Sequence, residues 1–218
     1  MLRSVSGDQL EILQAIRTMH CPDGFECDLT FGSGSFWKGT EPPKHRYDID
    51  PQSDGVVQSC STKIPHRDGE LRSVVFDPPF LTYVRSGRSG NGPMVMSRRF
   101  GGYWTYDELA EHYTATISEC ARVIAPGGVL TIKCQDIVHN HTLHATHINV
   151  VRWAEVRGFR LLDMFILAAS HRMPAPNKVG AQKHARIFHS YFLVFKRLTE
   201  KQHANQLWRI NDRAMAAE

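Results

Sequence analysis

The residues best suited to chemistry in this sequence are the tetrapeptide Asp77-Pro78-Pro79-Phe80, which directly follows the apolar run 72–76. Such a run predicts a buried strand, and open α/β sheets bind ligands beyond the carboxyl ends of their strands. The prolines fix two φ angles and remove two backbone donors, which leaves carbonyl acceptors beside a carboxylate and an aromatic ring. This set fits a flat substrate with an exocyclic amine, such as adenine or cytosine. The alternative is that the prolines only terminate the strand.

A glycine turn and a second acidic strand end lie upstream of this tetrapeptide. Residues 25–29 predict a short strand that runs into the turn 30–36, where Gly32 and Gly34 allow the backbone to approach a ligand closely. The next strand ends at Asp48. In a doubly wound sheet these positions hold a nucleoside, with the acid on the ribose hydroxyls. No Gly-Lys-Ser/Thr follows the glycines, which argues against a nucleoside triphosphate.

Four segments together resemble the S-adenosylmethionine-dependent amino-methyltransferases, the family that methylates adenine N6 or cytosine N4 in DNA. Phe31-Gly32-Ser33-Gly34 is similar to the first motif of the family, and Asp77-Pro78-Pro79-Phe80 is similar to its fourth. Residues 119–130 resemble the family's helix, Pro-Gly-Gly turn and following strand, and residues 189–196 resemble its last strand. The resemblance covers about residues 25–197. The cofactor motif precedes the catalytic turn in the sequence. This order excludes the circularly permuted arrangement of the family's motifs.

The resemblance implies a site for S-adenosylmethionine beside a catalytic turn. It implies the catalytic residues Asp77, Pro78, Pro79 and Phe80. It implies the cofactor-binding residues Asp28, Thr30, Phe31, Gly32, Gly34, Asp48, Ser59 and Asp77. Asp28 would bind the methionine amino group, the two glycines would surround the amino-acid moiety, and Asp48 would bind the ribose. Ser59 and Cys60 are the candidates for the contact with the cofactor adenine, a position at which the family has an acidic or polar residue.

A long segment between residues 81 and 104 is rich in glycine, arginine and aromatic residues and has little apolar periodicity. Arginines bind phosphates and aromatic rings stack on bases, so a loop that starts at the catalytic turn predicts a flexible substrate-binding flap. Gln135 follows the strand 129–134 and is expected to line the same pocket. The predicted substrate-binding residues are Tyr83, Arg85, Arg88, Arg98, Arg99 and Gln135. The alternatives are a solvated loop with incidental charge and a polar turn at Gln135.

Strands alternate with helices along the chain, which predicts an α/β fold with a doubly wound, mainly parallel sheet. The resemblance adds that this Rossmann-like methyltransferase sheet has seven strands and an antiparallel last strand. Capping boxes at Ser6 and Gln9 and at Thr105 and Glu108 predict helices over 6–20 and 105–124, the second ended by Pro126-Gly127-Gly128. Further helices are expected over 150–157 and 199–218. Further strands are expected at 56–58, 129–134, 161–168 and 190–196.

Composition is that of one globular domain. The chain has 218 residues, 42% of them hydrophobic, and a formal net charge of +4. We expect a catalytic domain over 1–198 and a polar, helical tail over 199–218. No apolar stretch approaches a membrane span and no signal-peptide core is visible, so a cytoplasmic protein is expected. Five scattered cysteines without a Cys-x-x-Cys pair argue against a disulfide framework or zinc finger.

Four histidines between positions 139 and 147 are the pattern closest to a metal site. No acidic or thiol residue is clustered with them, and methyl transfer from a sulfonium needs no metal, so we predict none. The alternatives are a substrate-contacting loop that titrates near neutral pH and a helix start with surface histidines.

The expected cofactor is S-adenosylmethionine and the expected partner is nucleic acid, with DNA preferred over RNA. The resemblance associates Asp at the first position of the fourth motif with adenine N6. No target-recognition domain is visible in the sequence, so specificity is expected from short loops, a second protomer or another protein. The alternatives are an RNA adenine N6-methyltransferase and a non-catalytic nucleic-acid-binding subunit with the same fold. A small-molecule substrate would leave the basic loop residues without a role.

The double substitution Arg98→Ala with Arg99→Ala tests the substrate-loop prediction. We expect weaker nucleic-acid binding and a slope of log K against log salt that flattens by up to about 2, because each lost phosphate contact releases one counterion fewer. Fluorescence titration at several salt concentrations gives the slope. An unchanged slope would mean that the two arginines are ordinary surface charges.

Overall fold

The computed structural model describes residues 2–82, 102–169 and 183–215. The strands are β1 (Val5–Ser6), β2 (Cys27–Asp28), β3 (His45–Asp48), β4 (Val57–Gln58), β5 (Leu71–Phe76), β6 (Ile124–Cys134), β7 (Ile137–His139), β8 (Thr142–His144), β9 (Phe159–Ala168) and β10 (His189–Arg197). The α-helices are α1 (Gln9–His20), α2 (Tyr106–Val123), α3 (Thr146–Glu155) and α4 (Glu200–Met215). A single 3-10 turn spans Ser35–Trp37.

Eight of the strands form one sheet in the order β1-β9-β10-β6-β5-β2-β3-β4. Neighbours from β6 to β4 pair in parallel, whereas β10 pairs antiparallel with both β6 and β9. The predicted α/β class, the mainly parallel sheet and its antiparallel last strand are confirmed. An eighth strand that the sequence did not indicate, β1, pairs in parallel with β9 at the sheet edge.

The sheet separates two apolar layers. On one face Val74 and Phe76 of β5 pack with α2, and on the other face Val75 packs with α1. This alternation follows from the period of two along a strand, and β5 is buried on both faces because helices cover both. The two helix layers hold the ends of the central strands rigidly, which positions the residues that follow them.

Helix α1 begins later than predicted. It starts at Gln9, and the carboxylate of Asp8 accepts the N–H of Leu10 at 2.8 Å. The predicted capping box of Ser6 and Gln9 is wrong, because Ser6 Oγ accepts from the amide of Asp8 and donates to Glu11. The side chain of Gln9 is therefore directed elsewhere, to the carbonyl of Phe36 at 2.8 Å.

Helix α2 follows its predicted start, since Thr105 Oγ1 accepts the N–H of Glu108 at 3.1 Å. Its end differs from the prediction. The helix stops at Val123, and Ile124 already pairs with Leu71 of β5. The Pro-Gly-Gly segment lies within β6, where the register against β5 shifts between Leu71 and Ser73. It shapes the strand rather than the helix end.

Residues 137–144 form a two-stranded hairpin, β7–β8, that the sequence did not predict. Its turn places Asn140 and His141 at φ values of 48° and 62°, which are left-handed conformations that asparagine tolerates better than most residues. The histidine-rich segment is thus a hairpin followed by α3, which begins four residues before the predicted helix start at residue 150. The other strand predictions hold, with β2 shortened to two residues.

Helix α4 packs against the body of the protein through Gln206. The side-chain amide of Gln206 donates to the carbonyls of Glu155 and Phe159, at 2.9 and 2.7 Å. In the described part of the chain, no helix is both long enough and apolar enough to cross a membrane.

Substitution of Gly128 tests the turn inside β6. A Cβ there would lie 2.6 Å from Ile124 Cγ2 and 2.8 Å from the carbonyl oxygen of Arg72. Gly128→Ala is expected to lower the free energy of unfolding by up to about 3 kcal/mol, because a backbone atom must move. The control is Gly127→Ala, where the φ of 88° costs about 1 kcal/mol but no atom lies within 4 Å. Urea unfolding that ranks Gly127→Ala as the more damaging change would contradict this account.

Candidate cofactor and catalytic site

The candidate site lies where three neighbouring parallel strands end. Asp28 closes β2, Asp48 closes β3 and Asp77 follows β5, and these strands are adjacent in the order β5-β2-β3. Because parallel strands share one carboxyl edge, residues far apart in sequence meet there. The predicted catalytic turn and the predicted cofactor residues are therefore brought to one edge of the sheet.

The glycine turn after β2 is built on backbone conformations that favour glycine. Gly32 has a φ of 53° and Gly34 a φ of 76°. The amide of Gly32 donates to Asp48 Oδ2 at 2.7 Å, and the amide of Phe31 donates to the carbonyl of Tyr47 at 2.9 Å. The turn is thus fastened to the end of β3, and a side chain at Gly34 would contact the ring of Phe31 at 3.0 Å.

The carboxylate of Asp28 is fully buried and organises this turn. Its Oδ1 accepts the N–H of Thr30 at 2.8 Å, and its Oδ2 accepts the indole N–H of Trp37 at 2.6 Å. Burial raises the pKa of Asp28 to about 7, opposed by these two hydrogen bonds. The structure therefore gives Asp28 a bracing role in addition to the predicted contact with a methionine amino group, which stays a prediction.

Asp48 and Ser59 lie at the rim next to the glycine turn. Asp48 is half-buried, and its Oδ1 accepts the amide of Asp50 at 2.8 Å. The amide of Ser59 donates to the carbonyl of Asp48 at 2.9 Å, which brings β4 and β3 together. Ser59 Oγ donates to the carbonyl of Lys63 at 3.1 Å, so its hydroxyl stabilises its own turn. Their predicted contacts with ribose and adenine remain predictions.

The predicted catalytic turn is joined directly to the glycine turn. The amide of Asp77 donates to Thr30 Oγ1 at 2.9 Å, so one threonine contacts both predicted motifs. The Asp77 side chain has 21% of its surface exposed. Burial raises the pKa of Asp77, and the ammonium of Lys133 opposes that rise. Pro78 is buried, whereas Pro79 and Phe80 are half-buried.

Phe80 borders a cavity of about 330 Å³, within the range of small-molecule sites. Its lining consists of Phe80, Leu81, Thr82, Gln135, Asp136, Ile137, Val138, Ala185 and Ile187. The predicted substrate residue Gln135 therefore lines the same cavity as Phe80 of the predicted catalytic turn. Gln135 Nε2 donates to the carbonyl of His189 at 2.7 Å, which fixes one end of its amide.

Asp136, beside Gln135, is held by three contacts. Its Oδ1 accepts from the backbone N–H of His147 at 3.2 Å and is 2.7 Å from the Nδ1 of that residue. The hydroxyl of Tyr191 donates to Oδ2 at 3.4 Å, and the ring of Tyr191 stacks on His147 with centroids 4.1 Å apart. One wall of the cavity is thus a fixed polar cluster.

Five of the predicted substrate residues, Tyr83, Arg85, Arg88, Arg98 and Arg99, lie outside the described residues. Among the residues that the structure describes, no group of three or more His, Cys, Asp or Glu side chains is arranged to hold a metal ion. In the β7–β8 hairpin, the ring of His144 stacks on the ring of Tyr106 with centroids 3.8 Å apart.

Sequence reasoning missed three residues of this site: Lys133, Gln9 and Trp37. Lys133 Nζ lies 3.7 Å from Asp77 Oδ2 and 2.9 Å from Gln9 Oε1. The sequence did carry a signal for Lys133. It is the single charged residue in the apolar strand β6, which pairs with β5, the strand that precedes Asp77. Gln9 and Trp37 carry no comparable signal, since polar helix residues and aromatic loop residues are common.

The substitution Trp37→Phe tests the bracing role of Asp28. Loss of the indole donor leaves a buried carboxylate with one hydrogen bond fewer, which costs about 1–3 kcal/mol of unfolding free energy. The pKa of Asp28 is about 7 in the fold and 3.8 ordinarily, so its ionised form predominates only above about pH 7. The loss is therefore expected to be larger at about pH 8 than at about pH 5. Thermal unfolding of Trp37→Phe and of the control Trp153→Phe gives both values; equal losses at both pH values would contradict this role.

No family model and no curated protein matches the chain. Among solved structures, it is similar to a provisionally assigned sarcosine dimethylglycine methyltransferase from Galdieria sulphuraria, with a TM-score of 0.51, 13% identity and coverage of 86% of this chain and 84% of that one. It is similar to a provisionally assigned methyltransferase solved with the Haloferax volcanii methyltransferase activator Trm112, with a TM-score of 0.50, 14% identity and coverage of 87% and 94%.

A provisionally assigned DNA modification methylase from Thermus thermophilus, solved with S-adenosyl-L-methionine, matches with a TM-score of 0.44, 19% identity and coverage of 71% of this chain. The match spans 56% of that protein, so about half of its length corresponds to this chain. The similarity to the Galdieria sulphuraria and Haloferax volcanii structures shows a methyltransferase-like Rossmann fold.

Proposed function

We propose that this protein transfers a methyl group from S-adenosylmethionine to the exocyclic amine of a base in DNA, with adenine N6 as the target. The observation that carries the proposal is the hydrogen bond between the Asp77 amide and Thr30 Oγ1, at 2.9 Å. It ties the amine-accepting turn to the glycine turn, so a nucleoside cofactor on one would lie beside a substrate on the other. Fold alone would not support an activity, because one fold serves many reactions.

The residues at the glycine turn fit the cofactor. Gly32 and Gly34 adopt left-handed conformations that leave the backbone accessible, and Asp48 closes the neighbouring strand. Asp28, Asp48 and Asp77 give this edge of the sheet a negative charge that suits a ligand carrying a sulfonium and an ammonium group. S-adenosylmethionine, when bound, supplies an electrophilic methyl carbon and a neutral thioether leaving group.

The residues of the catalytic turn fit an amine nucleophile. The Asp77 carboxylate and the Pro78 carbonyl accept hydrogens from the amine, which draws its lone pair out of conjugation with the ring. The same acceptors stabilise the positive charge that develops on nitrogen as the new C–N bond forms. The amine loses a proton during or after transfer, so Asp77 acts first as an acceptor and electrostatic partner.

The cavity beside Phe80 supports a base as the substrate. It is bounded by an aromatic ring on one side and by Gln135 and Asp136 on another, which combines a stacking surface with polar groups. A base must leave a duplex to reach such a pocket, and the arginine-rich segment 81–104 supplies charges suited to the phosphates beside it. The choice of adenine rests on Asp at position 77, as the resemblance implies.

The substitution Asp77→Ala tests the proposal directly. The expected result is loss of methyl transfer by a factor on the order of 10²–10³ with cofactor binding largely retained, because Asp77 acts chiefly on the amine while Asp28 and Asp48 remain at the glycine turn. Transfer is measured with methyl-labelled S-adenosylmethionine and affinity by calorimetry. The control Asp212→Ala removes an exposed carboxylate on α4 and is expected to retain activity. Full activity of Asp77→Ala would refute the assignment.

The substrate is identified by offering the labelled cofactor with unmethylated duplex DNA, single-stranded DNA and total RNA in separate reactions, followed by digestion to nucleosides and mass spectrometry. N6-methyladenine in DNA is the expected product. The same mark in RNA alone would replace DNA by RNA as the substrate. No mark in any pool, with the cofactor bound, would refute transfer to a base by this chain alone.

A further inference from the structure

Lys133 is a lysine ammonium enclosed by the candidate site. The side chain is only 12% exposed, and Nζ lies 5.4 and 5.3 Å from the ring centroids of Phe36 and Phe192. Two cation–π contacts and the hydrogen bond to Gln9 Oε1 compensate part of the cost of removing an ammonium from water. Asp77, with Oδ2 at 3.7 Å, supplies the opposite charge.

Gln9 holds this lysine in place from another layer of the protein. Its Nε2 donates to the carbonyl of Phe36 at 2.8 Å, and its Oε1 accepts from Lys133 at 2.9 Å. The amide is thereby fixed at both ends, between the start of α1 and the 3-10 turn that follows the glycine turn. Lys133 is directed to Asp77 by a residue 124 positions away in the sequence.

Two other titratable groups that interact with Asp77 in the described part of the chain are acids. Asp28 on β2 and Tyr113 on α2 both interact with it electrostatically, and each would carry a negative charge if ionised. Burial also opposes ionisation of Asp77. Among the described residues, Lys133 is the cation in contact with Asp77, and it is therefore the group that offsets these effects.

We propose that Lys133, oriented by Gln9, is a positioning residue that keeps the Asp77 carboxylate ionised and fixed beside the catalytic turn. This inference rests on the proposed function in so far as the ionised carboxylate serves the amine acceptor role. The ion pair itself is a property of the folded chain and can be measured without any turnover. Lys133 neither accepts the methyl group nor moves a proton in the reaction.

The decisive measurement is the titration of Asp77, followed by NMR of the side-chain carboxyl carbon in protein labelled at aspartate. The Asp77→Asn variant identifies the signal. In Lys133→Met, which keeps the length of the side chain and removes its charge, the midpoint is expected to move to higher pH by about 1–3 units, because the anion loses its nearest cation. In Lys133→Arg the midpoint is expected to shift less than in Lys133→Met, since the positive charge is retained.

Two further variants keep the experiment interpretable. Lys196→Met removes a lysine of β10 that pairs with Val129 in β6, away from the carboxyl edge, and is expected to leave the Asp77 midpoint unchanged. Gln9→Leu is expected to shift the midpoint in the same direction as Lys133→Met but by less, because the lysine keeps its charge and loses its orientation. If Lys133→Met does not fold, Gln9→Leu serves as the test in its place.

Methyl transfer provides the second readout. The acidic limb of the pH profile of kcat/KM, which reports groups of the free enzyme, is expected to move to higher pH in Lys133→Met by the same amount as the NMR midpoint, whereas a purely structural defect would lower kcat/KM at every pH. An Asp77 midpoint that is equal in Lys133→Met and Lys196→Met would overturn the inference. A shifted midpoint in a protein that methylates nothing would uphold the ion pair and refute the proposed function instead.

Discussion

The structure depends on placing three carboxylates at the ends of adjacent parallel strands. Asp28, Asp48 and Asp77 are brought together by strand order, although like charges in partly buried positions repel. Each is therefore tied to hydrogen-bond donors or to a cation. Asp28 binds the indole of Trp37, Asp48 binds the amide of Gly32, and Asp77 lies beside Lys133. The contacts that relieve this crowding also shape the turns, so the electrostatics and the geometry of the site have the same origin.

Sequence reasoning succeeded where the determinants are local. The turn at residues 77–80 after β5, the glycine turn and the N-terminus of α2 each depend on residues within a few positions, such as Thr105 capping Glu108. The catalytic role of residues 77–80 stays a prediction. The α/β class followed from the alternation of strands and helices. The strand ends at Asp28, Asp48 and Asp77 could then be brought together by the rule for parallel sheets.

The missed features depend on distant contacts or unusual backbone conformations. Gln9 has the spacing of a capping residue, but its side chain satisfies Phe36 and Lys133 instead, which no local pattern indicates. The β7–β8 hairpin turns through left-handed Asn140 and His141 without a glycine. β1 has two residues, too few to show a period, and exists because β9 offers it an edge.

The charge distribution explains why we expect a single lysine to matter in this site. Three carboxylates suit the cationic cofactor that we propose, but burial raises the pKa of both Asp28 and Asp77, and repulsion from Asp77 and Asp48 adds to the rise at Asp28. A protonated Asp77 could donate one hydrogen bond and would no longer offer two negative acceptor oxygens to an amine. One ammonium beside Asp77 counters this tendency without cancelling the negative charge of the edge, since two other acids remain. Lys133 lies next to Asp77 rather than Asp28, so the acid that braces the glycine turn and the acid that we propose for the substrate have different electrostatic surroundings.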